Sequence, residues 1–148
     1  MRDVTASGMT TDPREWANVL AEIPLFANLN RRHLRNIAAT GTIREVHGGT
    51  TIIRAGEPGD TFYVLLDGKV SVRRRGLPAL SLGTGSFFGE LALLDSAPRT
   101  ATVIADGPIV CLTISQARFF KLLRSEPAIA IAVLKEIASR LRAVQATA

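Results

Sequence analysis

The sequence predicts a mainly β domain with flanking helices, and three observations carry that prediction. From Thr42 to Ile114 the apolar residues alternate with a period of two. Short strands there are broken by turn residues roughly every 8 to 12 positions, the spacing of an all-β sandwich or barrel. On either side of this block the apolar period lengthens to that of helices. The chain has 148 residues, 47% of them hydrophobic, which suffices for one domain with its own core.

Residues 1–11 are polar, and a flexible N-terminus is expected there. Asp12, Pro13 and Glu15 then give a helix start, with a capping acid, proline at the first helical position and an acid at the third. Trp16, Val19 and Leu20 share one face of this helix, and Pro24 breaks it. Asn30 caps a second helix in which Leu34, Ile37 and Ala38 point one way, with Gly41 as its stop. Arg31, Arg32 and Arg35 fall on the other face, as a solvated surface requires. The domain is expected to span 12–148, with helices over 12–41, the β block over 42–114 and further helices over 115–145.

Turns in the β block are expected at Gly48 and Gly49, Glu57 to Asp60, Asp67 and Gly68, Gly76 to Pro78, and Asp106 to Pro108. Phe62, Val64 and Leu66 alternate with Tyr63 and Leu65, so this strand is expected to be covered on both sides. The basic run Arg73, Arg74 and Arg75 falls at a hairpin tip, where it is either simply solvated or meets an acidic partner. After the β block, Ser115 caps a helix through Phe119, Phe120, Leu122 and Leu123, and Pro127 opens a last one. Ala130, Leu134, Ile137, Leu141 and Val144 fall at alternating spacings of four and three, a heptad seam of about two repeats. This seam either packs on the β block or pairs with a second chain.

The net charge of +5 favours anionic ligands or acidic partners, although the arginines are scattered along the chain. One cysteine, Cys111, lies inside the apolar run PIVCLTI and has no partner for an internal disulfide. A buried thiol in a reducing compartment follows. The sequence offers neither an apolar run near the ~20 residues of a membrane span nor the apolar core of a signal peptide, so a cytoplasmic protein is expected.

Only residues 83 to 104, GTGSFFGELALLDSAPRTATVI, read as a site. Gly83, Gly85 and Gly89 permit tight turns and close approach of a ligand to main-chain amides. ELALL then reads as one helical turn whose first N–H groups face an anion. Asp95 to Pro98 close it, and Arg99 opens a strand in which Ala101, Val103 and Ala105 alternate with Thr100, Thr102 and Ile104. Arg99 supplies a planar fork of donors suited to phosphate, and the Glu90 carboxylate accepts from a hydroxyl. A small anion that also carries hydroxyls satisfies both; the bland alternative is that Glu90 and Arg99 pair with each other.

FGELALLDSAPRTAT resembles the phosphate-binding cassette of the cyclic nucleotide-binding domain family, and IIRAGEPGDTFYVLLDGKVSV resembles that family's first β-hairpins. The resemblance covers roughly residues 20 to 145. It implies an antiparallel β-roll or jelly-roll barrel with N-terminal helices and two C-terminal helices. It implies that Glu90 accepts from the ribose 2′-hydroxyl and Arg99 binds the cyclic phosphate, with backbone amides from Gly89 and Leu91. Thr100, where the family carries a small residue, would reach the phosphate or the guanine amino group. The ligand implied is cyclic AMP or cyclic GMP, with no other cofactor. Val72 and Leu82 are candidates for the apolar wall under the purine, or are ordinary core residues. Arg140, Val144 and Gln145, on the helix that resembles the family's lid, lie where other members cover the base.

No catalytic constellation is read. His33 and His47 stand apart, so no metal cluster of the kind that barrel oxygenases use can be assembled. The expected function is therefore a cyclic nucleotide sensor whose ligand repositions the C-terminal helix. The alternative is a nucleotide-independent oligomerisation or docking module of the same fold. A homodimer through the last helix and a separate effector protein are the expected partners, and no DNA-binding domain is expected within this sequence.

Overall fold

The computed structural model describes residues 13–146, so the expected loose start and the expected cap at Asp12 lie outside the described residues. The described residues form two compact units, one of 41–117 and one of 13–40 with 118–146.

The first unit is a single antiparallel sheet of six strands: β1 (Thr42–Val46), β2 (Thr51–Ile53), β3 (Thr61–Arg73), β4 (Leu80–Leu82), β5 (Phe87–Phe88) and β6 (Thr102–Ser115). The two long strands β3 and β6 form its spine, pairing from Thr61 with Ser115 to Arg73 with Thr102. β1 and β2 add to β6, while β4 and β5 add to β3. Phe62 to Leu66 are all buried, as expected of a strand covered on both sides. One face of the spine builds a core of Tyr63, Leu65, Val70, Val72, Val103, Ala105, Ile109 and Cys111, joined by Ile53 and Phe88.

Two expected turns are not chain reversals. The chain runs straight through Asp67–Gly68 inside β3 and through Asp106–Pro108 inside β6. The pairing passes from Leu65 with Cys111 to Asp67 with Val110 and then to Lys69 with Asp106, so each strand carries extra residues opposite the other. These are bulges, and positive φ at Gly68 (105°) and Gly107 (87°) is what the bulged backbone requires. Turn chemistry is local, whereas the apolar residues on both sides of each glycine pair within one sheet, and that pairing decides the outcome.

Cys111 is fully buried in this core, and burial pushes its thiol up to about 11, against a weaker opposing pull from the Arg44 guanidinium. Because the folded state holds its proton more tightly than the unfolded state, this group's contribution to stability falls as pH rises from about 9 to about 11. The native protein is expected not to react with an aromatic disulfide reagent at pH 8, and to release one equivalent of thiol once urea unfolds it.

In the second unit, α1 (Pro13–Leu20) buries Trp16, Ala17 and Leu20, and a 3-10 turn over Pro24–Phe26 follows. α2 (Arg31–Ala39) starts where expected: the Asn30 Oδ1 accepts from the His33 N–H at 2.8 Å, and Leu34, Ile37 and Ala38 are buried. Thr40 ends it. Gly41 does not stop the helix with a left-handed turn; a Cβ there would lie 2.5 Å from Leu112 Cδ1, so close approach is what that glycine serves.

α3 (Gln116–Ser125) begins directly after Ser115 and buries Phe119, whose ring lies 6.2 Å from that of Phe26. The Glu126 carboxylate, between α3 and the next helix, accepts from Asn36 Nδ2 at 2.6 Å and pairs with Arg32 at 3.4 Å. α4 (Pro127–Ala146) turns Ile129 and Val133 inward. The heptad seam is not its buried stripe: Leu134 and Leu141 are 64% and 56% exposed. Among the described residues no helix is long and apolar enough to cross a membrane.

Candidate ligand-binding site

The segment ahead of β6 is zipped to the loop that joins β2 to β3. Arg99 donates its backbone N–H to Glu57 O at 2.8 Å and accepts from the Gly56 N–H at 2.8 Å. Pro98 bridges Pro58, and the Ala55 N–H donates to Thr102 Oγ1 at 3.0 Å. β6 itself begins at Thr102, three residues later than the sequence suggests, yet Val103 and Ala105 do face the core as their alternation requires. Arg99 is thus fixed by its backbone before the strand starts.

The Arg99 side chain is half-buried and turns back along the same loop, where Nη2 donates to Thr61 O at 2.7 Å. Nη1 lies beside Gly89, close enough that a Cβ there would sit 2.8 Å from it. A guanidinium has five N–H donors, so most of its hydrogen-bonding capacity is left for an anion. Among the described residues neither Glu90 nor Arg99 takes part in an ion pair, so the bland reading in which the two neutralise each other does not describe this site.

Glu90 opens a 3-10 turn, Glu90–Leu93, entered through Gly89 in the left-handed conformation with φ 78°. The first bond of this turn runs from the Ala92 N–H to Gly89 O at 3.1 Å, which leaves the amides of Glu90 and Leu91 ahead of it without an acceptor inside the turn. Leu93 and Ala92 anchor it in the core, while Leu91 is 62% exposed. Downstream, the Asp95 Oδ1 accepts from the Ala97 N–H at 3.2 Å and closes the connection to Arg99. Gln116 secures the turn from the end of β6: its Nε2 donates to Ala92 O at 3.1 Å and its Oε1 accepts from Ser96 Oγ at 3.3 Å.

These pieces enclose a cavity of about 290 Å³. Its polar rim holds Gly89, Glu90, Leu91, Asp95, Arg99 and Thr100, and its apolar floor holds Ile53, Val72, Phe88, Ala101 and Val103. Phe88 is backed by Tyr63, stacked at 5.1 Å and 11°. Burial raises the Tyr63 phenol above its ordinary value, outweighing the opposing pulls of the Arg99 and then the Arg44 guanidinium.

The structure therefore brings Gly89, Glu90, Leu91, Arg99, Thr100 and Val72 to one cavity. Leu82 is not in its lining; on β4 it pairs with Val70 and packs at the edge of the core. Gly83 and Gly85 are not part of it either. They shape the turn between β4 and β5, where the Gly85 N–H donates to Leu65 O at 2.8 Å and the Ser86 N–H to Gly83 O at 3.0 Å. Arg140, Val144 and Gln145 lie on exposed positions of α4, in the other unit, and Arg140 Nε pairs with Glu136 Oε1 at 3.4 Å. Sequence reasoning missed Ile53 and Phe88 as wall residues; only their strand alternation carried any trace of it. Among the described residues no group of three or more His, Cys, Asp or Glu is placed to hold a metal ion.

A small cavity with an arginine and a carboxylate on its rim, set in an antiparallel β-roll, is suited to a small anion that also carries hydroxyls. The profile of the cyclic nucleotide-binding domain matches residues 43–126, more than half of the chain. The chain belongs to the cyclic nucleotide-binding domain family. A cyclic nucleotide-gated potassium channel of Mesorhizobium japonicum is 39% identical over 117 residues, covering 79% of this chain and 32% of the channel. A cAMP-dependent protein kinase regulatory subunit of Yarrowia lipolytica is 38% identical over 99 residues, covering 67% of this chain and 26% of that subunit. The chain thus spans about a third or less of the length of these relatives. Among solved structures, the N-terminal domain of a transcriptional regulator from Streptomyces coelicolor A3(2) superposes with a TM-score of 0.79 at 33% identity, covering 85% of this chain and 94% of that one.

Proposed function

We propose that this chain is a cyclic nucleotide sensor. The observation that carries the reading is that Arg99 and Glu90, un-neutralised by each other, line one cavity together with Gly89 and Leu91. Arg99 takes the cyclic phosphate with help from the Gly89 and Leu91 amides, Glu90 accepts from the ribose hydroxyl, and Val72 with Ile53 and Phe88 forms the wall for the base. Charge-assisted hydrogen bonds of ~1.5 to 3 kcal/mol each suffice here, since micromolar affinity requires ~8 kcal/mol net.

Thr100 on the rim suits cyclic GMP through its hydroxyl and leaves room for cyclic AMP. Output follows if the ligand favours one position of α4, which carries Arg140, Val144 and Gln145, over another; the size of the shift is bounded by that difference in affinity. The recipient of the signal is an effector protein.

One observation favours a second reading, a homodimer through α4: Leu134 and Leu141, seven residues apart, are both exposed. Calorimetric titration with cyclic AMP and cyclic GMP, run beside sedimentation velocity, tests both. The sensor reading predicts saturable heat with at least one nucleotide. No heat at millimolar ligand, from a dimer that neither nucleotide alters, would overturn it in favour of the docking module.

A further inference from the structure

We infer that Gly59, in the loop between β2 and β3, is a positioning residue for the Arg99 guanidinium. Among the described glycines, this one is most tightly covered by a side chain. A Cβ built on Gly59 would overlap the Nε and Cζ of Arg99 and lie 2.6 Å from its Nη2. The guanidinium therefore occupies a space that exists because residue 59 has no side chain. Positive φ does not explain this glycine, because Gly59 is not among the residues that adopt it. What the position excludes is bulk beside Arg99.

The same loop grips Arg99 at further points. Its backbone is held by Gly56 and Glu57, and its Nη2 by Thr61 O, so residues 56–61 fix both ends of one side chain. Gly89 lies beside Nη1. A guanidinium confined this way keeps its free donors aimed in a constant direction before any anion arrives, so little ordering remains for the binding step. Adding a methyl group at residue 59 displaces the guanidinium, whose flexible stem can yield, and leaves the loop's backbone bonds in place.

This inference rests on the reading of Arg99 as the phosphate-binding group. Its test is a double-mutant cycle on the full chain, with cyclic AMP and cyclic GMP as the titrants. Gly59→Ala is expected to weaken binding about tenfold, the size of losing one well-aligned charged hydrogen bond, with the thermal midpoint lowered no further than Arg99→Ala lowers it. In an Arg99→Lys background, which keeps the charge but lacks the broad planar fork, adding Gly59→Ala is expected to change affinity by less than about twofold.

A ligand-free readout separates this inference from the function it rests on. The Arg99 Nε–H resonance should exchange slowly with water in the wild type and faster in Gly59→Ala. Failure of the wild type to bind either nucleotide would sink the sensor reading and leave this resonance to decide the positioning role. Gly59→Ala with wild-type affinity and an unchanged resonance overturns the inference, as does any loss of affinity or stability that persists undiminished in the Arg99→Lys background.

Discussion

Arg99→Ala is expected to weaken cyclic nucleotide binding by ~100-fold or more while the protein stays folded, as measured by calorimetry and circular dichroism. Among the described residues the side chain makes one hydrogen bond, to Thr61 O, in a half-buried position. Removing it costs the fold about 1 kcal/mol, because water can reach the carbonyl left behind. The backbone bonds of Arg99 to Gly56 and Glu57 do not depend on the side chain and persist. The ligand loses far more: two or more charge-assisted bonds at ~1.5 to 3 kcal/mol each, and the one guanidinium that the described residues place on the rim. A loss of less than about tenfold would mean that the phosphate is held chiefly by the loop amides, and the site would need a different account.

How much of this was legible in the sequence depends on the range over which each feature is decided. The Asn30 cap and the buried stripe of Leu34, Ile37 and Ala38 follow from residues within one or two helical turns, and both are found where expected. The covered strand Phe62 to Leu66 is equally local, since an unbroken apolar run has no solvated face to offer. That Gly89, Glu90, Leu91, Arg99 and Thr100 would share one cavity was legible because they come from one short segment whose ends are brought together by its own turn. Features set by distant pairing were not. Whether Asp–Gly reverses the chain or bulges a strand depends on residues some forty positions away, and Leu82 faces the edge of the core because of its register with Val70. The space beside Gly59 was invisible for the same reason: nothing near residue 59 announces that an arginine forty residues downstream will lie against it.

The largest effect on stability is expected at Gly68, where the sequence suggests a turn and the structure has a bulge. Gly68→Ala should destabilise the protein by about 3 kcal/mol or more in urea unfolding, from two independent causes. A φ of 105° costs any residue with a Cβ roughly 1 to 2 kcal/mol. The added Cβ would also lie 2.8 Å from both Pro108 O and Ile109 Cγ2, in the middle of the β3–β6 spine, where a backbone carbonyl cannot swing aside. Relief requires the two long strands to part at their bulges, which disturbs the buried Ile109 and Cys111 beyond them. Gly76→Ala supplies the control: its φ of 77° carries a similar conformational penalty, but nothing lies within 4 Å of the new methyl group. That variant should lose only about 1 kcal/mol, and the difference between the two measures the steric part alone. Equal losses at the two glycines would show that the strands can part freely at the bulge, and that the spine is held by the pairing on either side of it.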